Sequence, residues 1–279
     1  MSRGLGDVYK RQALGSSIYE AKLFALFELV ERDAFLNFWY KKARLYRIDI
    51  NSVEKKVQEK IARFETEDKK VYIFDMTFDI SIPSILCLAV DFRGKVATYI
   101  STASHVNYNV AINAAVNECL VGHRIYETNP RIGEKEYNSD YDVVEMFDHV
   151  NHASRREYIK NYDFLFESEV KTVEELYGSE SYKISDSIDD AKDLLDFICK
   201  TKLNNHGKIY FAELSTKMSY EYGFFVAKIV VSGMLPMTFG YANQRINRER
   251  IKNAIQNSKY SDRCLCKGDE IDDRAHPFP

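Results

Sequence analysis

Two glutamates lie three residues apart within an apolar stretch near the start of the chain. Glu28 and Glu31 are separated by Leu29 and Val30, and Arg32 follows directly. At this spacing the two carboxylates project from one face of a helix. The pair is either solvated at the surface or bound to a partner, because burying unpaired carboxylates costs several kcal/mol. The partner would be Arg32 or a divalent cation, and Mg²⁺ suits hard oxygen ligands best.

A third acid, Glu118, stands between Asn117 and Cys119 in a second apolar stretch that contains Ala114 and Ala115. Taken alone, such a residue is an ordinary helix-face carboxylate. If the two helices lie side by side, however, three carboxylates meet and hold a metal ion together with nucleotide phosphates.

An arginine-rich segment follows near the C-terminus. The run 240–245 leads into a predicted helix, and Arg245, Arg248 and Arg250 lie at or just before its start. Guanidinium groups bind phosphate well, so these residues either face a phosphate or form a solvated basic face of the helix.

These candidate residues need helices and a sheet to position them. Apolar residues recur near helical spacing from Ser17 to Tyr40, with Ser16 or Ser17 as the N-cap, and again from Tyr108 to about Tyr126. Strands and helices alternate, which predicts an α/β (α+β) fold with mixed sheets packed against helices. The other predicted elements are strands at Val71–Asp75, Ile82–Asp91, Lys95–Ser101, Tyr182–Ile184, Lys208–Ser215 and Ala227–Val231, and helices at Ile188–Leu203 and Asn247–Asn257.

The first twelve residues show no apolar periodicity and do not lead into a helix or strand that requires them. They resemble adapter-derived sequence found at the ends of translated read assemblies. We therefore expect residues 1–12 to be a non-native leader, and residues 13–279 to form a single, incomplete catalytic domain with a proline-ended tail.

Composition excludes several classes of protein. The net charge of −3 over 279 residues argues against a nucleic-acid partner, because such a surface needs a basic stripe. No apolar run reaches the roughly 18 residues of a membrane helix, so no membrane is expected. Five scattered cysteines form no disulfide framework and favour a reducing compartment, the cytoplasm.

The chain ends in His276, Pro277, Phe278 and Pro279. A proline-rich end is often a disordered tail. Proline also restricts φ, which lowers the entropic cost of docking an extended segment. The composition leaves both possibilities open.

Residues in and before the first predicted helix resemble the signature of a known family. The segments Leu14–Ser17, Glu20–Ala21 and Leu26–Phe35, followed by Trp39, resemble the signature helix of the YcaO family. More narrowly, they are similar to its azoline-forming cyclodehydratase branch, which acts in the biosynthesis of bacteriocins such as the thiazole/oxazole-modified microcins. Further segments occur in the family's order, so the resemblance extends from residue 13 to residue 279.

The resemblance implies an ATP-dependent reaction on a ribosomal precursor peptide. A Cys, Ser or Thr side chain attacks the preceding backbone carbonyl, ATP phosphorylates the amide oxygen, and loss of phosphate leaves a thiazoline or oxazoline ring. The resemblance assigns Mg²⁺ to Glu28, Glu31 and Glu118, ATP phosphates to Arg32 and Arg245, and a positioning or deprotonating role to Pro277 and Pro279.

The resemblance also implies a partner and leaves rival functions open. A separate protein of the ThiF-like or ocin type would bind the leader of the precursor peptide, and a homodimer is compatible with the sequence. One rival is a thioamide-forming YcaO enzyme, which the proline-ended tail disfavours. The other is a non-catalytic scaffold that binds peptide and partner, which is compatible with Val121 standing where family members usually carry Gln.

Overall fold

A computed structural model of the protein describes residues 12–178 and 190–278, and within these ranges eight strands form two sheets. The strands are β1 (Gln12–Gly15), β2 (Tyr46–Ile48), β3 (Lys69–Asp75), β4 (Ser84–Asp91), β5 (Thr98–Ser104), β6 (Val170–Lys171), β7 (Ile209–Glu213) and β8 (Phe225–Val231). The helices are α1 (Ile18–Lys41), α2 (Lys55–Phe64), α3 (Tyr108–Thr128), α4 (Met146–Ala153), α5 (Asp163–Phe166), α6 (Val173–Tyr177), α7 (Ala191–Thr201), α8 (Lys217–Glu221) and α9 (Arg248–Gln256).

The larger sheet has the strand order β5-β4-β3-β2-β6, and the smaller has the order β1-β8-β7. All neighbouring strands are antiparallel except β2 and β6, which run parallel. The larger sheet is therefore mixed. Together with the helices packed on it, it confirms the predicted fold class.

Strand β4 shows why this sheet is covered on both faces. Its sequence from residue 84 to 91 is almost continuously apolar, and every residue in it is buried. Side chains alternate between the faces of a strand. Leu86 and Leu88 accordingly enter the same apolar cluster as residues of α1, whereas Ile85 and Cys87 enter the cluster that contains residues of α3. A continuous apolar run is typical of such a doubly covered strand.

Helix α1 lies between the two sheets and contacts β1 and β8 of one and β4 and β5 of the other. Ser17 caps it, since its side chain accepts a hydrogen bond from the Glu20 backbone N–H at 3.1 Å. Most of its residues are buried, including the polar Arg32, Asp33 and Asn37, as expected of a helix that contacts a sheet on two sides. Phe24 is an exception among its apolar residues, at 42% exposed.

The sequence missed several short elements. Strands β1, β2 and β6 and helix α2 were not predicted, and Gln12, assigned to the leader, is the first residue of β1. The predicted strand at Tyr182–Ile184 and the start of the predicted helix at Ile188 lie outside the described residues. None of the helices in the described ranges is both long and apolar enough to cross a lipid bilayer.

A buried ion-pair network joins α1 to α9. Arg250 of α9 donates from Nε to Asp33 Oδ1 at 3.1 Å and from Nη1 to Asp79 Oδ2 at 2.5 Å. The backbone N–H of Leu235 also donates to Asp33 Oδ1, at 2.8 Å. The side chains of the three charged residues are at most 8% exposed. Arg250 is thus neither a free phosphate ligand nor part of a solvated face, because two carboxylates already engage its guanidinium.

Replacing Arg250 with Ala is expected to lower the free energy of unfolding by about 3–5 kcal/mol, because Asp33 and Asp79 would remain buried without their cation. Denaturant unfolding measures this loss. Arg245→Ala serves as the matched control, since Arg245 is exposed, and should change stability by no more than about 0.5 kcal/mol. Equal effects of the two substitutions would contradict the structural role of the network.

Candidate functional site

Two of the predicted acids lie on the side of α1 that meets β5 and the C-terminal tail. Glu28 Oε1 accepts a hydrogen bond from Arg32 Nε at 2.9 Å, and its side chain is 24% exposed. Glu31 Oε1 accepts one from Thr102 Oγ1 of β5 at 2.5 Å. Neither carboxylate is a freely solvated surface group.

Glu118 completes the set from α3. The pKa of the Glu31 carboxyl is raised to about 8, mainly by burial and in smaller part by the nearby charges of Glu118 and Glu28, against the opposing effects of Arg32 and Thr102. Glu118 itself is exposed. The structure therefore places the three predicted acids, called here the acidic cluster, within electrostatic reach of one another. Their role as Mg²⁺ ligands stays a prediction.

The acidic cluster suits Mg²⁺ by its chemistry. Its donors are carboxylate oxygens with the Thr102 hydroxyl beside them, which are hard ligands. The like charges that raise the pKa of Glu31 would be stabilised by a divalent cation. Within residues 12–178 and 190–278, however, no three Asp, Glu, His or Cys side chains already stand close enough to hold a metal ion. Binding would therefore require the carboxylates to turn from Arg32 and Thr102.

Arg32 is at the centre of this region and is already engaged. It is 7% exposed, and besides Glu28 its Nη1 lies 2.9 Å from Met237 Sδ. Its guanidinium carbon lies 5.0 Å from the centroid of the Phe278 ring, which is within cation–π range. To bind a phosphate as predicted, Arg32 would exchange one of these contacts.

Arg245, the second predicted phosphate ligand, is exposed on the segment that precedes α9. In the part of the chain that the structure describes, no hydrogen bond or ion pair joins it to Glu28, Glu31 or Glu118. The structure thus does not bring Arg245 into contact with the acidic cluster.

The C-terminal tail, residues 274–278, is docked, and all of it after the exposed Arg274 is buried. Ala275, His276 and Phe278 are 1%, 2% and 4% exposed, and Pro277 is buried as well. Phe278 packs against Phe35 of α1 with ring centroids 4.9 Å apart. The sequence left a disordered tail and a docked tail both open, and in the structure the core covers the apolar side chains of the tail. The last residue, Pro279, lies outside the described residues.

Hydrogen bonds to backbone carbonyls hold this tail in place. Trp39 Nε1 donates to the Arg274 carbonyl at 2.9 Å, and the Tyr158 hydroxyl donates to that of Ala275 at 3.1 Å. His149 Nδ1 donates to the His276 carbonyl at 2.6 Å. The tail therefore has a defined path that ends beside Arg32.

Sequence reasoning missed Thr102, Trp39 and Tyr158 as contacts of the site and its tail. The available signal for Thr102 was a cluster of small residues at 101–104, three of which carry a hydroxyl group, in a strand that is buried throughout. Trp39 belongs to the segment that resembles the family signature, but nothing in the sequence indicated that it or Tyr158 contacts the tail, because their partners are backbone carbonyls more than 100 residues away.

Acid should destabilise the protein through His149. Burial lowers the pKa of His149 to about 4, against an ordinary value of 6.5. The neutral ring is thus favoured in the folded state, so its contribution is complete above pH 6.5 and is lost as the pH falls towards 4. The expected loss is about 3 kcal/mol.

Chemical unfolding at successive pH values measures this loss. His149→Gln removes the titrating ring but leaves His152, whose pKa burial also lowers to about 4. The variant should therefore show a shallower decline between pH 6.5 and 4. Parallel curves for the two proteins would contradict the assignment.

Comparisons with known proteins identify the family and the fold of the chain. Residues 12–235 match the family described as YcaO cyclodehydratase, ATP- and Mg²⁺-binding. No curated protein matches the sequence. Among solved structures, a heterocyclase in complex with substrate and cofactor aligns with a TM-score of 0.74 at 20% identity, covering 96% of this chain and 33% of its own.

Two further solved structures have the same fold. YcaO from Methanopyrus kandleri, bound with AMPPCP and Mg²⁺, aligns with a TM-score of 0.61 at 14% identity, covering 81% of this chain and 55% of its own. The E. coli microcin synthetase McbBCD complex with pro-MccB17 bound aligns with a TM-score of 0.60 at 16% identity, covering 97% of this chain and 63% of its own. The chain thus spans less than two thirds of each of these proteins. Because the family match covers most of its residues, the chain belongs to the YcaO family.

Proposed function

We propose that this chain is an ATP-dependent peptide cyclodehydratase. A Cys, Ser or Thr side chain of the substrate adds to the preceding backbone carbonyl, and the resulting oxygen accepts the γ-phosphoryl group of ATP. Departure of phosphate then leaves a thiazoline or oxazoline ring, with net loss of one water. Phosphoryl transfer of this kind depends mainly on positioning and on stabilisation of charge.

One observation carries the proposal. In a chain that belongs to a family binding ATP and Mg²⁺, Glu28, Glu31 and Glu118 lie within electrostatic reach of one another from two separate helices. These carboxylates would hold Mg²⁺, which when bound neutralises charge on the phosphates. Arg32 beside them would bind a phosphate oxygen, and we retain Arg245 as a second phosphate ligand that must move to reach it.

The tail supplies the groups nearest the reacting peptide in this proposal. Its buried course brings Phe278 against Arg32, next to Glu28. Pro277 stiffens the backbone just before this contact, because its ring restricts φ. Pro279, at the chain end, would position or deprotonate the attacking side chain.

The proposed substrate is a ribosomal precursor peptide, presented by a partner protein that binds its leader. The E. coli microcin synthetase McbBCD complex, with pro-MccB17 bound, is an assembly of this kind built on a similar fold. We place the reaction in the cytoplasm, where ATP is available. All five cysteines of the chain are unpaired, as expected there. A homodimer of the chain is compatible with this proposal.

The test combines the chain with a Cys-rich precursor peptide and a candidate leader-binding partner. We expect ATP-dependent phosphate release that the peptide stimulates, and a peptide that loses one water per ring by mass spectrometry. Partner binding without any phosphate release would favour the non-catalytic scaffold. A peptide that exchanges oxygen for sulfur would indicate the thioamide-forming alternative.

A further inference from the structure

We propose that His149 is a positioning residue that holds the C-terminal tail against Arg32, and that ring formation depends on this hold. The inference rests on the proposed function, since it specifies how the tail of the same site is kept in place. His149 lies on α4 and makes no contact with the acidic cluster among the described residues. Its effect on the reaction would therefore pass through the tail.

The two ring nitrogens of His149 have different tasks. Nε2 accepts a hydrogen bond from the backbone N–H of Gly240 at 2.9 Å, so it carries no proton. Nδ1 lies 2.6 Å from the His276 carbonyl and must be the protonated nitrogen that donates to it. Only one neutral tautomer makes both bonds. His149 thus joins the tail to the loop that precedes Arg245.

The Gly240 side of this link is sterically fixed. Gly240 has φ +85°, and a Cβ at this position would lie 2.5 Å from the Val144 carbonyl oxygen. Gly240 therefore donates its backbone N–H to His149 from a backbone conformation that residues other than glycine rarely adopt. The loop offers His149 a rigid support.

The rings strengthen the bond to the tail. His149 and His276 stack with centroids 4.1 Å apart and an interplanar angle of 19°. The Nε2 atom of His276 in turn lies 3.0 Å from the Thr238 carbonyl oxygen. Phe239 packs edge-on against both imidazoles. The segment that ends at Gly240 thus packs around the two imidazole rings.

The hydrogen bond from His149 to the His276 carbonyl matters because of its position along the tail. Trp39 and Tyr158 hold the tail upstream, at the Arg274 and Ala275 carbonyls. Of the tail backbone groups with described hydrogen bonds, the His276 carbonyl is nearest the chain end. Pro277 has no N–H and cannot add a donor of its own. Among the described residues, His149 therefore supplies the backbone hydrogen bond that lies nearest Phe278 along the tail.

The contacts continue from this point to the acidic cluster. Phe278, two residues beyond His276, stacks under the Arg32 guanidinium, and Arg32 pairs with Glu28. Release of the His276 carbonyl would leave Phe278 and the chain end free to shift relative to Arg32. A shift of about 1 Å is enough to cost an enzyme much of its rate.

A matched pair of substitutions tests the proposal. The amide nitrogen of Asn can replace Nδ1, so His149→Asn keeps a donor for the His276 carbonyl. The amide of Gln lies near the position of Nε2, so His149→Gln keeps the Gly240 contact and loses the tail bond. Both remove the stacked ring. We expect His149→Gln to lower kcat for ring formation about tenfold or more, and His149→Asn about threefold.

The pattern of kinetic constants separates positioning from general damage. With His149→Gln, KM for ATP should stay within about twofold, and more phosphate should be released per ring formed. Thermal unfolding of both variants reports the loss of stability. If both variants lose activity equally, or if His149→Gln keeps the wild-type kcat, the proposal is overturned.

A second measurement is independent of the reaction. Carboxypeptidase Y removes residues from the chain end only when the tail opens. His149→Gln should speed release of Phe278 about tenfold over wild type, and His149→Asn less, as followed by mass spectrometry. Equal release rates would overturn the anchoring by His149. A wild-type chain that forms no ring but shows this difference in release would instead refute the proposed function.

Discussion

Replacing Glu31 with Gln is expected to lower ATP turnover on the order of hundredfold or more, with the fold intact. The substitution removes a carboxylate at nearly constant volume. Glu31 has a pKa of about 8, so in the ligand-free protein at pH 7 it already carries a proton for most of the time. A neutral Gln should therefore leave stability unchanged or higher. What it cannot supply is the charge that a magnesium–phosphate complex requires.

Glu28→Gln should reduce turnover similarly, although it also frees Arg32 from its ion pair. Malachite-green phosphate release measures turnover, and thermal unfolding with and without Mg²⁺ and ATP measures binding. Glu59→Gln on the exposed face of α2 is the matched control and should behave as wild type. Normal turnover by Glu31→Gln would refute the metal-site assignment.

The long elements were predictable because their side-chain pattern is decided locally. Helix α1 repeats apolar residues at helical spacing and begins after Ser17, as predicted. Strands β4 and β5 overlap the strands predicted at 82–91 and 95–101, and they pair with each other. In each case the buried residues lie close together in the sequence, so periodicity reveals the buried face.

The missed elements depend on distant partners. Strand β1 pairs with β8, about 200 residues later, and β6 consists of two residues that pair with β2. Helix α2 buries only Val57 and Ile61 among many charged residues. Such segments have too few apolar residues for a local pattern, and tertiary contacts determine their conformation.

In the candidate site, too, the features with a local sequence pattern were predictable and those that depend on distant contacts were not. Spacing and resemblance identified Glu28, Glu31 and Glu118, which are brought together by helices that the sequence predicted. Spacing could not show that Arg250, rather than Arg245, is the buried arginine of its segment. That choice depends on where Asp33 and Asp79 lie in three dimensions.

Deletion of residues 277–279 is expected to lower ring formation about hundredfold and to destabilise the protein by about 2–4 kcal/mol. The second effect follows from Phe278, which is 4% exposed and packs against Phe35. Its removal would expose apolar surface and take the ring away from Arg32. Mass spectrometry of the peptide and chemical unfolding of the protein measure the two losses.

Phe278→Leu distinguishes the function of the tail from its packing. Leucine keeps much of the buried volume and should cost only about 1 kcal/mol of stability. It lacks the aromatic face that the Arg32 guanidinium meets at 5.0 Å, so Arg32 would be held less firmly beside Glu28. We expect ring formation to fall about tenfold in this nearly stable variant. If its activity falls only in proportion to its small loss of folded protein, the tail stabilises the core without positioning Arg32.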